Sequence, residues 1–144
     1  MVRTQRIVEA LGLKPVGGEP RRDEDVLIER VRSGLPHSAL EAITARFNLG
    51  SRDVLRILHL PPRTLARRRK ARVLSVDESD RLVRLGRVAV LAEETLGNAV
   101  KAGRWLREPN PVLGDSAPLR WLDTDVGARE VEEVLIRIAH GVSS

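Results

Sequence analysis

A run of basic side chains between residues 63 and 72 is the part of the sequence best suited to bind another molecule. Six of these ten residues are Arg or Lys. A guanidinium group forms paired hydrogen bonds with phosphate oxygens and with the O6 and N7 atoms of guanine. The run therefore predicts contact with DNA. We expect bases to be contacted by Arg63, Thr64 and Arg67, and phosphates by Arg68, Arg69, Lys70 and Arg72.

The basic run follows a helix and a break in the chain. Residues 51–58 have helical apolar spacing, and Pro61 and Pro62 then interrupt the chain, with Pro62 where a helix tolerates proline best, in its first turn. Two short helices with a break of this kind form a helix-turn-helix unit, whose second helix enters the major groove. We expect Leu65, with Ala66 beside it, to face the core. The side chains left outward are Arg63, Thr64, Arg67, Arg68 and Lys70.

Two other interpretations of the basic run stay open. A charged run can be only the solvated face of a helix, and it can also bind an acidic protein surface instead of DNA. Binding through about six phosphates predicts that affinity falls with salt with a log–log slope of about −5. An affinity that does not depend on salt would exclude contact with DNA.

The net charge of +5 is distributed unevenly along the chain. Residues 1–72 carry 16 Lys or Arg against 8 Asp or Glu, whereas residues 73–144 carry 9 against 12. A basic half joined to a mildly acidic half indicates two tasks. Only the first half can meet a polyanion on charge alone.

Several functional classes lack the residues that they require. The sequence has no Cys for thiolate zinc sites or disulfides, and its 2% aromatic content disfavours base stacking. Its His residues stand far apart, and neither a Gly-rich phosphate loop nor a Gly-x-Ser-x-Gly motif is present. We therefore expect no enzymatic activity, metal or cofactor. The sequence also lacks an apolar run of about 18 residues and a signal peptide, which predicts a cytoplasmic protein without a membrane segment.

Apolar residues recur at helical spacing along most of the chain, while strand-like alternation is scarce. We predict an all-α fold of about eight short helices, in which a helix-turn-helix region packs against a small helical C-terminal domain. The expected parts are an N-terminal arm (1–22), a DNA-binding region (23–76) and a C-terminal domain (77–144). The last helix, from about 126 to 140, should bury an apolar stripe of Val131, Val134, Leu135 and Ile138.

The last third of the chain carries a specific order of residues. Trp105-Leu106 is followed by Pro109-Asn110, Leu113-Gly114 and Pro118-Leu119, and later by a helix ending in Arg-Ile-Ala-His-Gly-Val. A small helical domain of ordinary design accounts for this order. The order and spacing also resemble the toxin-binding domain of the Xre/MbcA/ParS antitoxins. The matching residues are Trp105, Leu106, Pro109, Asn110, Leu113, Gly114, Pro118, Leu119, Leu122, Thr124, Gly127, Val131, Leu135, Arg137, Ile138, His140, Gly141 and Val142.

The resemblance implies an antitoxin of a type II toxin–antitoxin system. Such a protein binds a RES-domain toxin, an enzyme that degrades NAD, and represses the operon encoding both through operator DNA. The resemblance also implies a homodimer within a hetero-oligomeric complex. The alternative is a stand-alone helix-turn-helix transcriptional regulator whose C-terminal domain only dimerises.

We further expect residues 138–144 to enter and occlude the cleft of the toxin, an expectation that rests mostly on the resemblance. The terminal carboxylate of Ser144 would meet an Arg that otherwise holds the phosphates of the dinucleotide. The toxin-binding residues that we predict are Trp105, Asn110, Leu113, Arg137, Ile138, His140, Gly141, Val142 and Ser144.

Overall fold

The computed structural model describes residues 2–14 and 22–141. Within these residues the chain forms eight α-helices and two short 3₁₀ turns, and no strand. Extended backbone pairs only at two isolated bridges, Pro36 with Val73 and Asn110 with Ser116. The prediction of an all-α fold is confirmed.

The ends of several helices follow from chemistry within one turn of the chain. Pro62 occupies the first position of its helix. The Ser75 hydroxyl accepts from the Glu78 N–H while the Glu78 carboxylate accepts from the Ser75 N–H, which is a capping box. Thr124 caps the last helix by accepting from the Gly127 N–H. The helices are α1 (Val2–Ala10), α2 (Asp23–Ser33), α3 (His37–Phe47), α4 (Ser51–Leu58), α5 (Pro62–Ala71), α6 (Val76–Leu96), α7 (Ala99–Arg107) and α8 (Asp125–Ala139), and the 3₁₀ turns are η1 (Pro111–Leu113) and η2 (Pro118–Trp121).

The longest helix, α6, is the centre of the core. It packs against α1, α2 and α4 on the N-terminal side and against α7 and α8 on the C-terminal side. Leu82, Leu85, Val88 and Ala89 are completely buried, because neighbours surround the middle of this helix. The buried apolar residues of both halves form one continuous cluster. The two halves therefore share one hydrophobic core, with α6 packed against both of them.

The expectation of an N-terminal arm is wrong for residues 4–14. Ile7, Ala10, Leu11 and Leu13 are buried, and α1 packs against α6 and α2. The apolar side chains of α1 reach α6 at Gly86, beside which Ile7 and Leu11 lie. The hydrophobic effect favours this burial over an exposed tether. Residues 15–21 lie outside the described part of the chain.

Gly103 lies where α7 crosses the end of α3. A Cβ atom at this position would overlap the carbonyl oxygen of Phe47. One turn later, Arg107 Nη1 donates to the Phe47 and Asn48 carbonyl oxygens over 3.0 and 2.8 Å. These are carbonyls that the end of α3 leaves without a helical partner. The close approach at Gly103 thus allows Arg107 to cap α3.

We expect Gly103→Ala to lower the free energy of unfolding by about 2–3 kcal/mol, because the extra methyl group forces the two helices apart. The measurement is urea unfolding followed by circular dichroism. The control is Val100→Ala in the same helix, at a side chain that is 69% exposed. That change should stay within about 0.5 kcal/mol of the wild type. Equal stabilities for the two variants would contradict this prediction.

Candidate functional site

Helices α4 and α5 form the predicted helix-turn-helix unit, with three residues, 59–61, between them. His59 adopts a left-handed conformation, with φ 56° and ψ 43°, and its N–H donates to the Arg56 carbonyl. Leu60 is buried beneath the turn, and Pro61 is extended before α5 begins at Pro62. The prediction of a helix, a short break and a basic helix is therefore confirmed.

The outer surface of α5 is basic. Arg63, Arg67 and Lys70 are exposed and share a face of the helix because they are separated by four and three residues. Thr64 lies beside them, with its hydroxyl 3.4 Å from Arg67 Nη2. Arg69 and Arg72 are also exposed. These six residues therefore stand where a polyanion can reach them.

The inner side of α5 differs from the prediction at Ala66. Leu65 is half-buried and packs against the core, as expected, but Ala66 is exposed. Consecutive residues of a helix are rotated by about 100° from each other, so the packing of Leu65 turns Ala66 to solvent.

Arg68 does not point outward, which corrects a second expectation. Its Nε lies 2.8 Å from Glu78 Oε1 and its Nη2 lies 3.3 Å from Oε2, and the Glu78 carboxylate is buried. Residues three apart share a face of a helix. The packing of Leu65 therefore brings Arg68 over the first turn of α6.

Two opposing effects act on the pKa of Glu78. Burial of its carboxyl raises the pKa, but hydrogen bonds from Arg68 and Ser75 lower it by more. The pKa of Glu78 therefore lies below its ordinary value. A group with a lowered pKa in the folded state contributes stability above its unfolded pKa of about 4.3 and loses it as the pH falls through the folded value.

We expect Glu78→Gln to cost about 1–2 kcal/mol of stability at pH 7, because it removes charge-assisted hydrogen bonds to Arg68. Gln retains the capping function at this position. The difference from the wild type should shrink between pH 7 and acid pH, as the pH falls through the lowered pKa of the Glu78 carboxyl. Urea unfolding at both pH values is the measurement, with the exposed Glu133→Gln as control. A difference that is the same at both pH values would contradict the prediction.

The turn of the helix-turn-helix unit is hydrogen-bonded to the C-terminal half. His59 Nε2 donates to the Asp123 carbonyl over 2.9 Å. Arg56 Nη2 donates to the Leu119 carbonyl over 3.0 Å, in η2. Nothing local in the sequence distinguishes Arg56 or His59, so neither is among the predicted site residues. The helix-turn-helix unit and the C-terminal half are thus joined next to α5.

The loop between α7 and η2 holds two of the predicted toxin-binding residues. The Asn110 side chain accepts from the Val112 N–H over 3.0 Å, and the Asn110 N–H donates to the Ser116 carbonyl. Leu113 is only 3% exposed. Leu113 therefore supports the loop from within the core and offers no surface to a partner, contrary to expectation. Trp105, on α7, is half-buried.

The last turn of α8 extends beyond the core. Val131, Val134 and Leu135 are buried as predicted, but Ile138 is 41% exposed, so the buried stripe ends one turn early. Ile136 is 40% exposed as well. The neighbouring Arg137, His140 and Gly141 are also exposed. Val142 and Ser144, which we also predict to bind the toxin, lie outside the described residues.

Residues 2–14 and 22–141 contain neither a membrane-spanning helix nor a cluster of metal-binding side chains. No helix there combines the length and apolar character needed to cross a bilayer. In the same residues, no group of three or more His, Cys, Asp or Glu side chains is arranged to hold a metal ion.

The chain matches two family models, one in each half. The antitoxin Xre-like helix-turn-helix domain matches residues 26–87, which include α4 and α5. The antitoxin Xre/MbcA/ParS C-terminal toxin-binding domain matches residues 91–141, which include α8.

Three curated relatives carry the name Antitoxin Xre. The relative from Yersinia enterocolitica is 31% identical over 129 residues, covering 88% of this chain and 87% of its own. The relative from Photorhabdus laumondii is 34% identical over 116 residues, covering 79% and 78%. The relative from Pseudomonas putida is 42% identical over 83 residues, and the match spans 57% of this chain and about half, 52%, of the relative. Together with a helix-turn-helix unit joined through α6 to a C-terminal helical half, these matches show that the chain belongs to the Xre family of antitoxins.

Proposed function

We propose that this antitoxin neutralises a RES-domain toxin, an enzyme that degrades NAD, and represses the operon that encodes both proteins. Its C-terminal segment occludes the active-site cleft of the toxin, and α5 binds operator DNA. Residues 23–76 serve as the DNA-binding region and residues 77–144 as the toxin-binding domain. The observation that carries the proposal is the exposed apolar last turn of α8.

The arrangement of the two exposed isoleucines supports insertion into a cleft. Ile136 and Ile138 are two residues apart, so they project about 200° apart around the helix axis. A partner surface lying flat against α8 would cover only one of them. A cleft that surrounds the last turn covers both, and burying each isoleucine contributes about 1.5–3 kcal/mol.

Polar groups near the same turn fit a site that holds a dinucleotide. Ser144 contacts an Arg of the toxin that otherwise binds the phosphates of the dinucleotide. His140 donates to the toxin backbone. The remaining residues of the toxin-binding surface are Trp105, Asn110, Arg137, Ile138, Gly141 and Val142, while Leu113 supports the Asn110 loop from within the core.

The basic outer surface of α5 supports binding to operator DNA. Arg63, Thr64 and Arg67 lie at or near its N-terminal end and contact base edges, as in other helix-turn-helix units. Arg69, Lys70 and Arg72 contact phosphates. A homodimer presents two copies of α5 to the two halves of an operator, within the hetero-oligomeric complex formed with the toxin.

Co-expression with the RES-domain protein encoded beside it tests this function. We expect restored growth, restored cellular NAD and a complex that purifies intact. A parallel assay measures binding to the promoter DNA of the same operon at two salt concentrations. Binding to DNA without any contact with the toxin would refute neutralisation and support the stand-alone regulator.

A further inference from the structure

We infer that Arg68 is a positioning residue for operator binding, which holds α5 in place through Glu78 and does not itself bind a DNA phosphate. The inference rests on the proposed function of α5. This role distinguishes Arg68 from the other basic residues of the run, all of which are exposed and available to DNA.

Apolar packing alone holds α5 weakly. The helix contains no fully buried side chain, and Leu65 is its half-buried contact with the core. A cavity of about 270 Å³ lies between α5 and the pair α3 and α4, and Leu65 and Arg69 line it. Protein interiors are normally close-packed, and close packing is what determines the orientation of an element. The orientation of α5 must therefore depend on other contacts.

The pair formed by Arg68 and Glu78 is suited to this task. Both guanidinium nitrogens of the pair face one carboxylate, which restricts orientation as well as distance. Glu78 is itself immobilised, because its Oε1 also accepts from the Ser75 N–H over 2.8 Å. The next residue, Ser79, is fully buried and accepts from the Leu35 N–H. Arg68 thus connects α5 to the hydrogen-bonded first turn of α6.

The chemistry of Glu78 also keeps Arg68 from being released to a phosphate. The Glu78 side chain is only 8% exposed. Moving the guanidinium to DNA would leave a buried charge without its ionic partner, which is strongly unfavourable. The other side chains of the run, such as Arg67, are exposed and face no such restriction.

The test compares Arg68→Gln with Arg69→Gln, an identical change at an adjacent exposed residue that is proposed to contact a phosphate, in the full chain. Affinity for the promoter fragment is measured between about 50 and 300 mM salt, together with affinity for unrelated DNA. Arg69→Gln should reduce the log–log salt slope by about 0.9, the value for one lost phosphate contact. Arg68→Gln should leave the slope unchanged. Its affinity for the promoter should fall about tenfold at every salt concentration, while its affinity for unrelated DNA stays the same.

A third variant, Arg68→Lys, keeps the charge but cannot form the paired hydrogen bonds. We expect it to lose several-fold in promoter affinity with an unchanged slope, and it provides the test if Arg68→Gln does not fold. The inference is overturned if Arg68→Gln reduces the slope as Arg69→Gln does, or if either change at Arg68 leaves promoter affinity unaffected. A wild-type chain that binds neither DNA would instead refute the proposed function of α5.

Discussion

Ending the chain after Arg137 is expected to abolish neutralisation of the toxin while leaving the fold and DNA binding intact. The last buried residue of α8 is Leu135, and residues 138–141 are exposed, so their removal takes nothing from the core. Toxin binding, in contrast, loses the apolar side chains of Ile138 and Val142. The loss of two apolar side chains alone is worth about 3 kcal/mol. That corresponds to at least about a 100-fold weaker complex.

The measurements are growth of cells that co-express the toxin, and the dissociation constant of the purified pair. The matched control is Val126→Ser, which removes an exposed apolar side chain, 73% exposed, from the other end of α8. This control should still neutralise the toxin. The single change Ile138→Ser should have an intermediate effect. A truncated chain that still protects cells would show that the toxin is not blocked by the C-terminal segment.

Replacing Arg63, Arg67 and Lys70 with Gln is expected to remove most of the affinity for operator DNA. These three cations share the exposed face of α5. Loss of Lys70, a phosphate contact, should lower the salt slope by about 0.9. Loss of Arg63 and Arg67, which pair with bases, should weaken the preference for the operator over unrelated DNA. At physiological salt the affinity should fall by at least about 10²-fold, since each of the three lost contacts costs at least about 1 kcal/mol.

The control for this prediction removes the same charge elsewhere. Lys101, Arg104 and Arg129 are exposed on α7 and α8, and changing them to Gln lowers the net charge equally. If net charge alone governs binding to DNA, the two triple variants will bind equally weakly, which would contradict a specific role of α5. The α5 variant should still neutralise the toxin, because its C-terminal half is unchanged.

The sequence by itself determined the elements and most of their ends. Pro62, Ser75 and Thr124 mark the starts of α5, α6 and α8, because a proline or a cap acts within one turn and needs no distant partner. The spacing of apolar residues likewise predicted the burial of Val131, Val134 and Leu135 in α8. The order of residues in the last third identified the family in the same way, since it depends on the chain alone.

Only the tertiary structure decided which of these side chains meet a partner within the molecule. Arg67 and Arg68 are equivalent in the basic run, but the position of α6 places Glu78 against Arg68 alone. The helices around it also bury Leu113 and bring His59 to the C-terminal half. The first helix became part of the core for the same reason. Each outcome depends on contacts between residues that are far apart in the chain. The distances between such residues are set when all the helices pack together around α6. A local sequence pattern carries no information about those distances.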